Sequence, residues 1–158
     1  MSDTDAALVG FECLWSAFDQ LSNADLYASM KLRVDIFVVE QNCPYPELDD
    51  RDGTALHLLV KESGELVGYL RLLPPHGDKP VVLGRIAVAE TFRSRRIGGG
   101  LLNAGLGKSH QLFPGRKVYL SAQAHLQKFY QRHGFVRTSD EYLEDGIPHI
   151  DMLHDNRH

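Results

Sequence analysis

Apolar and polar positions alternate early in the chain: in "GFECLWS", Phe11, Cys13 and Trp15 share one side of an extended segment, which predicts a first strand. The period then changes. Leu26, Met30, Val34 and Phe37 recur near helical spacing, Lys31 and Arg33 fall elsewhere on that surface, and Ser22 followed by Asp25 supplies a helix start. "NCPYPELDDRDG" breaks the pattern with its prolines and acidic, turn-forming composition, and reads as a loop. "ALHLLVK" and "LVGYLRLL", joined through "ESGE", predict a hairpin centred on Gly64. After the connection "PPHGDKP" comes the strand "VVLGRIAV", then a glycine stretch that opens a helix ending at Pro114–Gly115. The strand "KVYLSA", a short helix from Leu126 to Arg132 with Gly134 as its C-cap, and two strands joined around Asp145–Gly146 complete the order.

That order is β-α-β-β-β-α-β-α-β-β. Its middle strand–helix–strand unit favours a parallel pair, and the flanking hairpins make the sheet mixed. An α/β sandwich is expected rather than a doubly wound nucleotide fold.

Composition narrows the function classes. With 158 residues, 43% hydrophobic and 24% charged, the chain is most economically one globular, soluble domain over residues 1–158. No apolar run approaches a membrane span, and "MSDTDAALVG" is acidic where a signal peptide is basic, so a cytoplasmic location is expected. Cys13 and Cys43 form no C-x-x-C pair, and the eight histidines show no metal-ligand spacing, so no metal is expected. A formal charge of −4 argues against broad nucleic-acid binding.

Against that acidic background, "AETFRSRRIGGGLLNAGL" concentrates Arg93, Arg95, Arg96 and then Gly98, Gly99 and Gly100 just before a helix. A helix N-terminus offers unpaired N–H groups and about half a unit of positive charge. Glycines let a ligand approach that backbone, so the stretch suits a phosphate or pyrophosphate. The alternative is a glycine turn with solvated arginines. Two nucleotide motifs fail on spacing: "GKS" at Gly107–Ser109 has Leu102 where a P-loop needs glycine, and Gly98 and Gly100 are followed by Asn103 in place of the third glycine of G-x-G-x-x-G.

"RIAVAETFRSRRIGGGLL" resembles the signature segment of the GNAT acetyltransferases, with Arg95, Gly98 and Gly100 satisfying Q/R-x-x-G-x-G/A and Arg96 standing where a glycine is usual. "FVVEQNCPY", "VYLSAQAHLQKFYQRHGF" and "EDGIPHIDM" extend the resemblance to the ElaA-like subgroup. The resemblance implies a GNAT acyl-CoA N-acyltransferase fold: a mixed, mostly antiparallel sheet of about seven strands with helices on both faces. It implies acetyl-coenzyme A as donor and an amine as acceptor. Arg93, Ser94, Arg95, Arg96, Ile97, Gly98, Gly99 and Gly100 would hold the pyrophosphate. Ile86, Ala87 and Val88 would pair with the pantetheine arm, where that strand splays from the next, with Gln123 and Phe129 beside them.

Tyr130 aligns with the tyrosine set beside the leaving sulfur, as general acid; a packed core aromatic is its other reading. Glu40 is the candidate base or amine anchor, or else a helix-end ion pair. His125 is a candidate proton shuttle, or else an N-terminal helix residue satisfied by backbone. His57, Tyr69 and Arg71 alternate onto one face of the central hairpin, where they either border the acceptor site or meet a covering helix. His149 either lines the acceptor pocket or stabilises its turn. The run Glu47 to Asp52 either attracts a cationic acceptor or is a solvated loop. The resemblance predicts an N-acetyltransferase acting by direct attack in a ternary complex. A noncatalytic acyl-CoA sensor with a protein partner is the main rival, and a small RNA-binding protein a remote one. Acceptor and oligomeric state, a homodimer included, stay open.

Overall fold

A computed structural model describes residues 7–156; Met1–Ala6, which hold most of the acidic N-terminal stretch, and the last two residues lie outside it. Eight strands form one sheet in the order β1-β2-β3-β4-β5-β8-β6, with β7 also on β8. They are β1 (Glu12–Ala17), β2 (Leu56–Glu62), β3 (Glu65–Leu73), β4 (Val81–Val88), β5 (Val118–Gln123), β6 (Val136–Arg137), β7 (Tyr142–Glu144) and β8 (Ile147–His154). Every pairing is antiparallel except β4 with β5. The expected mixed sheet and central parallel unit are therefore present. The strand beyond the expected seven is β6, too short to leave a periodic signal.

The helices are α1 (Asn23–Val34), α2 (Ile97–Leu112) and α3 (Gln127–Arg132). Ser22 caps α1 as its spacing suggests, its hydroxyl accepting from the Asp25 N–H at 3.0 Å. Helical backbone continues to Glu40, but the last stretch, Asp35–Glu40, widens into a π-helical turn. π-Turns change which side chains share a face, and they are frequent at functional sites.

Alternation in the central strands divides the interior in two. Leu58, Val60, Leu70, Leu72 and Leu83 face α2 and form the main core with Ile97, Leu101 and Leu102. Leu59, Tyr69 and Ala87 face the other way, against Ile36 at the end of the α1 segment. Strands covered on both faces bury nearly every side chain, which explains the unbroken apolar run "LLV" at Leu58, Leu59 and Val60. Close approach of α2 to the sheet needs Gly105: a Cβ there would lie 3.0 Å from Leu83. Hairpin β2–β3 turns through Ser63 and Gly64, both at positive φ, as a two-residue connection with right-handed strand twist requires.

Candidate active site

Strands β4 and β5 pair only at Val81–Val118 and Val82–Tyr119, and then diverge. On the other side of β4, the register against β3 shifts between Tyr69 and Arg71, and Arg85 adopts φ 53°. This is a bulge: one extra residue on β4 bends the strand and re-aims its side chains. The divergence opens a cleft of about 910 Å³, walled by both strands, the π-turn, the loop after it, α3 and the β7–β8 turn. Ile86 and Val88 line it, while Ala87 between them points to the opposite face and is 1% exposed.

The arginine–glycine stretch lies at one end of this cleft. Glu90–Arg95 form a 3-10 turn, Arg96 takes a left-handed conformation at φ 60°, and α2 begins at Ile97 without a side-chain cap. Gly100 N–H already bonds the Arg96 carbonyl, so the N–H groups of Ile97, Gly98 and Gly99 form the open first turn. The glycines have separate reasons to be there. A Cβ on Gly98 would lie 4.0 Å from Phe129 and Val88, whereas one on Gly99 would press on His133 at 3.3 Å and one on Gly100 on Leu8 at 2.8 Å. Of the loop, only Arg93 and Gly98 line the cleft. Ile97 is fully buried. Ser94, Arg95 and Arg96 are exposed, and Arg95 lies 4.8 Å over the Phe92 ring and pairs with Glu62 at 3.2 Å.

Arg93 is tied at both ends. Its Nε donates to the Val88 carbonyl at 3.2 Å, and its guanidinium meets the Glu40 carboxylate at 2.9 Å. Glu40 ends the π-turn, so this pair joins the helical side of the cleft to the loop.

Tyr130, on α3, lines the cleft and is 8% exposed. Its ring stands edge-on to Phe129 at 5.1 Å and to Phe135 at 6.0 Å, and burial, the sole cause, pushes its phenol up to about 12. The hydroxyl is therefore protonated throughout the neutral range. Gln123 ends β5 and donates to Gln41 at 3.2 Å, bridging the cleft beside Glu40. His125 lies on the exposed rim, in the turn between β5 and α3.

Three carboxylates of the acidic run, Glu47, Asp49 and Asp52, are tied into the protein, while Asp50 is exposed. Arg33 donates to Glu47 and Asp52 at 2.8 Å each, Arg71 holds Asp49 at 2.8 Å and Asp52 at 3.2 Å, and Arg85 reaches Glu47 at 2.7 Å. Three guanidinium groups thus meet three carboxylates, and the set is neutral as a whole. Burial opposes ionisation of Asp49, but hydrogen bonds and charge from Arg71 outweigh it and bring that carboxyl down to about 2. Burial also works against Arg33, yet Tyr69, Asp52 and Glu47 turn the net direction upward. The bulge explains the membership of Arg85, since its turn out of the strand brings the guanidinium to Glu47.

His57 and Arg71 share a face, as alternation suggests, but meet different surroundings. Arg71 both joins the network and lines the cleft. His57 is 1% exposed; its Nδ1 accepts from the Tyr69 hydroxyl at 2.6 Å and its Nε2 donates to the Asp52 carbonyl at 3.0 Å. Burial, first among the causes, lowers its pKa.

The wall formed by β5 and β8 carries a polar face that sequence reasoning missed. Tyr119, Ser121 and Gln123 alternate along β5 and stand opposite Leu153, Asp151 and His149 of β8. Asp151 accepts from Tyr119 at 2.7 Å and from Tyr142 at 2.6 Å, and the Ser121 hydroxyl lies 2.6 Å from that of Tyr142. A signal was available: the every-other-residue polarity of "VYLSAQ" marks a strand with one wet face. His149 lines the same wall, with Nδ1 2.7 Å from the Ile147 carbonyl and Nε2 3.4 Å from Glu144. Among the described residues no cluster of His, Cys, Asp and Glu could hold a metal ion, and no helix is long and apolar enough to cross a membrane.

Comparison with known proteins agrees with this fold. The family model described as an acetyltransferase (GNAT) domain matches residues 29–155. Protein ElaA of Escherichia coli (strain K12) is 46% identical over 136 residues, 84% of this chain and 89% of that protein. Its crystal structure superposes with a TM-score of 0.86 over 91% of this chain and 99% of that one, at 42% identity. An acyl-CoA N-acyltransferase from Pseudomonas aeruginosa gives a TM-score of 0.87 at 41% identity, over 91% and 99% of the two chains. A GNAT family acetyltransferase from Elizabethkingia anophelis, crystallised with acetyl-CoA bound, shares the fold at a TM-score of 0.68 and 21% identity, over 93% of this chain and 99% of that one.

Proposed function

Because the chain belongs to the GNAT acetyltransferase family and to its ElaA-like group, we propose that it transfers an acetyl group from acetyl-coenzyme A to a primary amine by direct attack in a ternary complex. The observation that carries this reading is the divergence of β4 from β5, which leaves strand backbone unpaired along a cleft that also holds Gly98 and Tyr130.

The pyrophosphate binds the open first turn of α2 at Ile97, Gly98 and Gly99, with Arg93 alongside. Ser94, Arg95 and Arg96 add positive charge from the rim, and Gly100 keeps α2 seated. The pantetheine arm pairs with the edge of β4 from Ile86 to Val88, flanked by Phe129 and Gln123. An N–H of that edge stabilises the oxygen as the acetyl carbonyl becomes tetrahedral. Tyr130 gives its proton to the departing thiolate. As Arg93 turns from Glu40 to the pyrophosphate, Glu40 is released to attract the acceptor's ammonium, which favours binding of donor before acceptor. His125 on the rim passes protons to solvent. Arg71 borders the acceptor side, and His57 braces it from behind through Tyr69.

Calorimetry with acetyl-CoA tests the donor site. Gly98→Asp has room for its Cβ, so the fold is retained while a carboxylate meets the pyrophosphate. Affinity is expected to fall at least about tenfold, roughly 1.4 kcal/mol. Wild-type protein that fails to bind acetyl-CoA overturns the reading. Binding without acetyl transfer to any amine of a broad panel would favour the sensor instead.

A further inference from the structure

We propose that His149 takes the proton of the acceptor ammonium, with Glu144 as the positioning residue that holds the resulting imidazolium; this rests on the acetyl-transfer reading above. The hydrogen-bond chemistry fixes the ring. Ile147 offers a carbonyl oxygen, which only accepts, so Nδ1 at 2.7 Å carries a hydrogen. The lone pair of the neutral ring is then on Nε2, and the group facing it is the Glu144 carboxylate at 3.4 Å. A lone pair and a carboxylate repel; a proton between them turns the contact into an ion pair. The pair is thus built to receive a proton at Nε2.

Its place in the fold suits that task. His149 stands opposite Gln123 across β5 and β8, on the wall that faces the divergence of β4, and both His149 and Glu144 line the cleft. The ring is held by stacking on Tyr142 at 6.3 Å, and only 8% of the residue is exposed. The titratable groups on its own hairpin are Tyr142, Glu144, Asp145 and Asp151, and those of the facing cleft wall include Cys43, Tyr45, Asp49, Arg71 and Arg85; the Cys43 thiol donates to the Asp145 carbonyl at 3.2 Å.

The step balances. The ammonium gives one proton to Nε2 of His149, which later releases it to solvent. The free amine forms the new C–N bond as the C–S bond breaks, the thiolate takes the Tyr130 proton, and the nitrogen's second proton restores the phenol.

Bromoacetyl-CoA tests the assignment without a known acceptor. Its methylene carbon lies beside the thioester carbonyl, and a neutral imidazole nitrogen displaces bromide there to form an N–C bond. Mass spectrometry is expected to find the adduct on His149, blocked by excess coenzyme A and absent in His149→Gln. Glu144→Gln is expected to slow labelling by about threefold or more, because the glutamine amide can then donate a hydrogen bond to the Nε2 lone pair that the carboxylate leaves free. A purely structural glutamate would leave that rate unchanged, and such a result removes Glu144 from the proposal. Coenzyme A-protected labelling elsewhere, or binding with His149 unmodified, overturns the base assignment and leaves the transferase reading standing. Failure of bromoacetyl-CoA to bind at all overturns both.

Discussion

Tyr130 lines the cleft and belongs to the core as well. Its ring packs against Phe129 and Phe135, and its hydroxyl is the acid proposed above. Tyr130→Phe keeps the first and removes the second. We expect thiol release to slow by roughly 10²-fold, at the lower end for general acid–base groups, with acetyl-CoA affinity nearly unchanged. Equal turnover would reduce Tyr130 to a core aromatic. Arg96 illustrates a different compromise. It occupies a left-handed position where a glycine would sit without strain, at a cost of about 1 kcal/mol. In return the loop keeps an exposed cation at the mouth of the cleft, which a glycine would not supply.

Among the elements, the bulged strand β4 and the acidic loop are interdependent. Arg85 holds an unfavourable φ because its guanidinium meets Glu47, and Glu47 is buried because Arg33 meets it from α1. Arg33 is 1% exposed, so Arg33→Met removes one of the two guanidinium partners from each of two buried carboxylates, Glu47 and Asp52. A loss of about 3–5 kcal/mol in urea unfolding is expected. A loss under about 1 kcal/mol would mean that water or another cation replaces the guanidinium.

This network also marks the limit of what the sequence discloses. Local patterns suffice for the capped α1, the β2–β3 hairpin, the glycine-led α2 and the Tyr130 helix, because each depends on neighbours in the chain. Anchoring of Glu47, Asp49 and Asp52 does not, since the partners that neutralise them lie on α1, β3 and β4. The same holds for the His149–Glu144 pair, whose meaning comes from the ring's orientation and not from spacing.

At the scale of the molecule, two histidines are held neutral by burial. His57 and His133 both have pKa values lowered from 6.5, with burial the leading cause. Below that pH the unfolded chain binds protons that the folded chain refuses, so stability declines as pH falls through the low sixes. The thermal midpoint of the wild type is expected to drop between about pH 7.5 and 5.5. His57→Gln keeps a donor and an acceptor and should show a shallower drop, with His133 accounting for the remainder. Parallel curves for both proteins would show that His57 takes up its proton in the fold as readily as in the unfolded chain. Asp49 acts in a separate range: its contribution is intact above 3.8 and is lost as pH falls toward 2.

The divergence of β4 from β5 creates a seam within the sheet and not at its rim. Strand edges at a rim invite other proteins, whereas this one is walled on each side by the chain's own layers. On the proposed function the donor in the seam becomes, in effect, a temporary ninth strand, and the two halves of the sheet are stitched through a molecule that is consumed. Solvent exchange of those amides between Gly84 and Val88 that point away from β3 should therefore report occupancy directly: rapid in the empty protein, slow with donor in place, rapid again once the product departs.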